Sequence, residues 1–440
     1  MKTENLIAVL SASVVVTGAA LSSQFTSKEQ PQACYKASVT TEKPVTEEKP
    51  CVFMSVMGEQ SVTDYAQYKN NTKAQTTIDK GEKWLVEAQN NDGGWGAGSH
   101  SNQGEMNPHA VSSDPATTAM ASMALYRMGY SIDKGKYKKQ LKDALDFLVS
   151  EVEQNKNNEF ITQVRGTQIQ TKLGQNIDAA LTLQFLNQVV PTLSDGNLKK
   201  RVENAIQICV DKVEQSYDAS GKVSGAGWAG VLQSSFANAG LEQASKNKNI
   251  KVSKDKIAAA RNYQKSNYDA DAKTAKTEDG AGIVLYAVSS SVRGSAGEAK
   301  EAEELFEKAK ADGKISQRAE MNRENLEKIG VPREKAASYE VASKVYKAAK
   351  VQAMDDNVMN GFGNNGGEEF MSFLQTGESL IVKKDNDWKT WYDNVSGKII
   401  KIQNDNGSWN GHHCITSPVF CTATCLLILT IENDIKTLQQ

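Results

Sequence analysis

The polar and apolar positions of this chain repeat from about residue 77 onward. Stretches that mix both kinds stand at 78–89, 137–152, 198–217, 254–267, 334–351 and 388–403. A loop follows each. After it comes a run dominated by Ala, Ser, Thr and Leu, at 114–128, 176–186, 234–245, 283–292, 368–380 and 418–431. Strand-like alternation is scarce, and Ala, Leu, Lys, Glu and Gln are plentiful, so both kinds of stretch predict helix. The first inner run has the expected ends, with Asp114 as N-cap, Pro115 in the first turn and Gly129 as terminator. The chain thus predicts six helical hairpins, each an outer helix, a loop and an inner helix.

The loops of the first and last hairpins share a motif, Gln89-Asn-Asn-Asp-Gly-Gly-Trp95 and Gln403-Asn-Asp-Asn-Gly-Ser-Trp409. An open solenoid carries polar capping repeats at its ends. Here the terminal repeats are the most alike, as if they meet. The expected architecture is all-α, an (α/α)6 toroid closed into a ring. The toroid is assigned 73–440, with a charged helical insertion at 298–332 rich in i,i+4 pairs. Residues 23–72 are polar, with repeated Thr/Glu/Lys/Pro, and predict a disordered, flexible tether.

At 1–22 a short polar start precedes an apolar run, Leu6 to Leu21, and small residues suited to a signal peptidase. It reads as a signal peptide or, if uncleaved, as a membrane anchor. The expected location is export (periplasmic or extracellular) or membrane anchorage. A net charge of −2 creates no field toward nucleic acid, so none is expected as a partner. Membrane contact is expected only through the N-terminal segment. Six cysteines in an exported chain permit disulfides whose connectivity is not readable.

The two Gln-to-Trp strings resemble the repeats of squalene-hopene and oxidosqualene cyclases, and the Gly-Gly-Trp turn followed by a small-residue helix is similar to protein prenyltransferase β subunits. The resemblance spans about residues 75–435. It implies an α/α toroid with a central cavity for an apolar, isoprenoid or lipid-like ligand. The cyclases' acid motif, Asp-x-Asp-Asp-Thr-Ala, is absent. The prenyltransferases' Asp, Cys and His zinc set is incomplete, with Cys421 standing where the His is expected. Gln89, Trp95, Gln403 and Trp409 are expected to brace the ring and touch no ligand.

In such a toroid the N-termini of the inner helices gather at one mouth, where their dipoles favour anions. Chemistry is sought there. Glu368 and Glu369, Asp114 and Asp178 are the acid/base candidates, because neighbouring carboxylates shift one another's pKa; helix capping is their competing role. Arg165, Gln168, Gln175, Asp279 and His412 are ligand-binding candidates, with Ser234 beside them. His413, Cys414 and Cys421 supply metal-ligand types, and zinc is the cofactor they suit; a small core cysteine is the alternative for Cys421. Two readings follow: a binding protein for an apolar ligand, or an enzyme of cyclase or transferase type using acid/base or metal-assisted chemistry. A saccharide-active toroid ranks last, because aromatics are only 7 % of residues.

Overall fold

The computed structural model describes residues 72–434 apart from Phe362. The apolar N-terminal run and all but the last residue of the tether lie outside the described residues. Fifteen α-helices and one two-residue hairpin make up the described regular structure besides short 3₁₀ turns. Six helices form the outer layer: α1 (Thr72–Glu87), α3 (Lys138–Gln154), α6 (Gly196–Ser216), α8 (Lys254–Ser266), α11 (Arg333–Ala353) and α14 (Trp388–Lys401). Six form the inner layer: α2 (Pro115–Arg127), α5 (Ile177–Val189), α7 (Gly230–Ala244), α9 (Val284–Ala311), α13 (Gly367–Lys383) and α15 (Pro418–Leu429). The short helices α4 (Gln168–Leu173), α10 (Arg323–Lys328) and α12 (Asp356–Met359) fill connections.

Composition explains the layers. In α3 the buried residues are Leu141, Ala144, Leu145, Leu148, Val149 and Val152, one stripe at helical spacing. In α15 every residue is buried, and in α2 every residue but Tyr126. Small side chains at Ala116, Ala119, Ala121 and Ala124 let α2 sit among neighbours on all sides. Each inner helix packs on the next, α2 on α5, α5 on α7, α7 on α9, α9 on α13, α13 on α15, and α15 back on α2. The ring is closed.

The Gln-to-Trp motif does the bracing. Gln403 Nε2 donates to the Gly407 carbonyl at 2.9 Å and to the Thr77 carbonyl of α1 at 2.8 Å, which joins the last hairpin to the first. Gln89 Nε2 bonds Gly93 at 2.7 Å and Gln140 of the following hairpin at 2.9 Å. Trp95 and Trp409 are fully buried, and their indole N–H groups donate to the Leu85 and Ile399 carbonyls at 2.8 and 2.9 Å. Their backbone N–H groups donate to Thr118 and Thr422 Oγ1, each at 2.9 Å. Gly407 has φ +94°, and a Cβ there would meet the Lys80 carbonyl oxygen at 2.6 Å, so a side chain is excluded twice.

A second closure device lies at the other end of α2. Arg127 is buried, and donates to Asp434 at 2.6 Å, Glu378 at 2.6 Å and the Leu427 carbonyl at 3.0 Å. One guanidinium thus ties the first hairpin to the fifth and sixth.

Two elements differ from expectation. The fourth inner helix was expected to stop at 292 but runs to Ala311, because Ala, Glu and Lys beyond Gly297 keep propagating helix. Its distal part, with α10 and α11, buries a small separate core of Ala302, Phe306, Leu326, Ala336 and Tyr339. The loop expected through 163–170 ends in helix α4, capped by the Thr167 hydroxyl. Among the described residues no helix is long and apolar enough to cross a membrane.

Candidate functional site

The toroid has two mouths. At the first, the inner helices begin. Asp114 caps α2, its Oδ1 accepting the Thr117 N–H at 2.8 Å and its Oδ2 the Ala97 N–H at 2.8 Å. Asp178 reaches across from α5, accepting the Ala116 N–H at 3.0 Å and Gln170 Nε2–H at 2.7 Å. Both are buried. Desolvation pushes Asp114 up to about 6 against the pull of its hydrogen bonds, and lifts Asp178 to about 7 with help from the Asp114 charge.

Glu368 and Glu369 open α13. Glu369 is the reciprocal member of a capping arrangement: its Oε2 accepts the Gly366 N–H at 2.9 Å, while its Oε1 accepts the Tyr286 hydroxyl at 2.6 Å. Burial and the Glu369 charge hold the Tyr286 phenol protonated. Glu368 accepts the Ile415 N–H at 3.3 Å, and burial, then Glu369, push it up to about 8. The two carboxylates are only 2 % and 1 % exposed.

Above them runs the 411–417 loop. His413 and Cys414 are partly exposed, and their ligand atoms lie within 4.8 Å of each other and of a Glu368 oxygen. Cys414 sits at φ +56° with its carbonyl held by Gln103 Nε2 at 2.8 Å. Burial, then Glu368, push its thiol up to about 11. Cys421 does not join this group; it is buried beneath the loop with its thiol toward the Ile415 carbonyl at 3.6 Å. Glu368 takes its place among the convergent ligand atoms. Lys172 of α4, missed in the sequence, also bears on this site: it is buried, its charge favours the Cys414 thiolate, and its Nζ lies 4.1 Å from the ring centre of Trp228, itself 64 % exposed.

The remaining candidates are spread out. Gln168 is buried, its Oε1 accepting the Thr416 and Ser417 N–H groups at 2.7 and 3.1 Å, so it stitches the loop of the sixth hairpin to the second. Asp279 pairs with Lys222 and accepts the Tyr263 hydroxyl at 2.8 Å. Arg165 is exposed, bonds the Val164 carbonyl of its own loop at 2.8 Å and lies over Phe160. His412 is exposed and Gln175 half-buried; the Ser234 hydroxyl accepts the Val223 N–H at 3.1 Å. The hydrogen bonds of Asp114, Asp178, Glu369 and Gln168 join helix ends and loops to one another.

The large cavity opens at the second mouth, where the inner helices end. It measures about 970 Å³, at the upper end of the size of small-molecule sites. All six inner helices line it. Met120, Met123, Phe236, Leu374 and Leu427 supply apolar surface; Arg127, Glu242, Arg261, Arg293, Lys300 and Glu378 supply charge. Glu242 accepts Arg261 Nε–H at 2.7 Å and an Arg293 Nη2–H at 2.9 Å. Burial opposes its ionisation, but these two guanidiniums win and hold it down at about 2. Sequence reasoning missed this mouth. Its one local signal was an arginine in each of two otherwise small or apolar runs, Arg127 in α2 and Arg293 in α9.

Residues 55–168 match the family profile "Squalene-hopene cyclase C-terminal domain". No curated protein sequence matches the chain. Among solved structures, a point variant of a glycosidase is similar over 82 % of this chain and 97 % of its own, at 10 % identity and a TM-score of 0.45. The chain is an α/α toroid whose first hairpin carries a terpenoid-cyclase-like sequence profile.

Proposed function

We propose that this toroid is a binding protein for an apolar, lipid-like ligand, taken up in the cavity at the C-terminal ends of its inner helices. The carrying observation is the 970 Å³ cavity with Met120, Met123, Phe236, Leu374 and Leu427 on its walls. Burying such a ligand against these side chains stabilises the complex by about 25 cal/mol per Å² of apolar surface removed from water, before the costs of association. The carboxylates of the first mouth support binding rather than turnover, since they are buried in helix caps and loop stitches. The apolar run at 6–21 supports a role outside the cytoplasm or at a membrane. Titrating the full chain with a fluorescent polyene fatty acid is expected to show saturable one-to-one binding. Emission that rises without saturation contradicts the reading.

A second reading rests on Glu368, His413 and Cys414, whose ligand atoms lie within 4.8 Å of one another. A carboxylate, an imidazole and a thiol fit zinc in type, and a bound zinc would supply Lewis-acid chemistry at this mouth. The nearby Lys172 charge favours the Cys414 thiolate but opposes a second cation beside it. Zinc must displace protons from the Cys414 thiol and the Glu368 carboxyl, so affinity is predicted to rise with pH from about 6 to about 9. Metal analysis of the wild type and Cys414→Ser is the check. One zinc, lost in the variant, supports an enzyme; protein that stays metal-free at every pH ends this reading.

A further inference from the structure

The cavity carries more than apolar wall. Glu242 on α7 is shared by two guanidiniums, Arg261 from α8 and Arg293 from α9, so one carboxylate faces two fixed positive charges. Lys246 lies in the turn just past the end of α7, and Lys300 stands on α9 two turns beyond Arg293. All five side chains line the same cavity. The other acids of the lining are shared with groups outside this cluster: Glu301 accepts the Tyr339 hydroxyl at 2.6 Å, Glu304 pairs with Lys384 at 3.0 Å, Glu203 accepts Asn249 Nδ2–H at 2.9 Å, and Glu378 and Asp434 pair with Arg127. The pocket thus places Lys246 and Lys300 on the same wall as the two arginines that share Glu242. Desolvation, then repulsion, from Arg293 on Lys246 and from Lys384 and Lys246 on Lys300, lowers the pKa of both lysines against the pull of Glu242 on Lys246 and of Glu304 and Glu301 on Lys300. Positive groups crowded in a cleft raise the local concentration of anions and favour a negatively charged ligand group.

We propose that Arg261, Arg293, Lys246 and Lys300 form an anion subsite at the rim of the cavity, and that the ligand is an acidic amphiphile, with a carboxylate or phosphate monoester at this rim and its apolar part against Met123, Phe236 and Leu374. Arg is suited to such oxyanions because its planar fork can donate two parallel bonds. The subsite lies at the opposite mouth from the buried carboxylates, where the inner helix dipoles favour cationic side chains rather than anions; here the side chains supply the positive charge that the dipoles do not.

This inference rests on the cavity reading, and calorimetric titration of the full chain separates the two. The probes are decyl phosphate, decanoate, decanol and inorganic phosphate. Decyl phosphate and decanoate are expected to bind at least tenfold more tightly than decanol, with affinity falling as salt is raised. Lys246→Gln with Lys300→Gln is expected to bring the two acids down to the affinity of decanol and leave decanol unchanged. Equal binding of acids and alcohol overturns the anion subsite and leaves the cavity reading standing. Binding of inorganic phosphate without any decyl compound upholds the subsite and overturns the lipid reading. No binding of any probe overturns both.

Discussion

At the scale of the residue, Arg127 shows how much one buried cation can hold. Its partners Glu378 and Asp434 are 16 % and 17 % exposed. Removing one member of a buried ionic network leaves charges without compensation, so Arg127→Ala is predicted to destabilise the fold by about 3–5 kcal/mol, measured by denaturant unfolding. A loss under about 1 kcal/mol would mean that the carboxylates find solvent. The acids of the first mouth predict a pH dependence. Asp114, Asp178 and Glu368 have folded-state pKa values near 6, 7 and 8, above their unfolded values. The folded state therefore binds the extra protons, and stability present below about pH 4 is lost as pH rises through about 6 to 8. Glu242 works in the opposite sense but titrates near 2, outside this window. The melting temperature is predicted to fall between about pH 5 and pH 8, and Glu368→Gln to flatten the upper part of that fall. A wild-type curve that rises over this range would contradict the assignment. Positions of this kind were only half visible in the sequence. That Glu368, Glu369 and Asp114 start helices was readable from Gly366-Gly367 and from Pro115; that they are buried was not, because burial is decided by segments arriving from elsewhere in the chain, the 411–417 loop at Glu368 and the turn at Ala97 with Asp178 at Asp114.

Among the elements, the Gln-to-Trp turns set the geometry. Gln403 bonds its own turn and α1 together. Gln403→Ala removes both bonds and is predicted to cost about 1–3 kcal/mol. The loss should loosen the seam between α14 and α1, so hydrogen exchange is predicted to speed up in those helices and stay unchanged in α5 and α7. Uniform acceleration around the ring would contradict a local brace. The bracing role was readable because Gln, Gly and Trp recur at fixed spacing in two places. The fourth inner helix was misread for the opposite reason. Gly294 and Gly297 and a change from Ser to Glu and Lys look like an end, yet the helix continues to Ala311 because its charged part finds a small core of its own.

For the whole molecule, the closed ring was legible because its first and last hairpins carry the same motif, whereas its working face was not. Helix dipoles direct a reader to the N-terminal mouth, and the candidate acids do gather there. They are spent on helix ends and loop joints. The cavity lies at the other mouth, built from Met123, Gln188, Phe236, Glu242, Arg293 and Leu374, which come from five different helices and form no motif. Two single variants separate the faces. Gln188 is half-buried on the cavity wall, so Gln188→Trp fills the cavity without touching the first mouth, while Glu368→Gln alters the first mouth alone. The deciding measurement is the affinity of the full chain for the polyene fatty acid in these two variants. The account predicts at least tenfold weaker binding for Gln188→Trp and unchanged binding for Glu368→Gln. Unchanged binding in Gln188→Trp with loss in Glu368→Gln would put the ligand at the first mouth and contradict it.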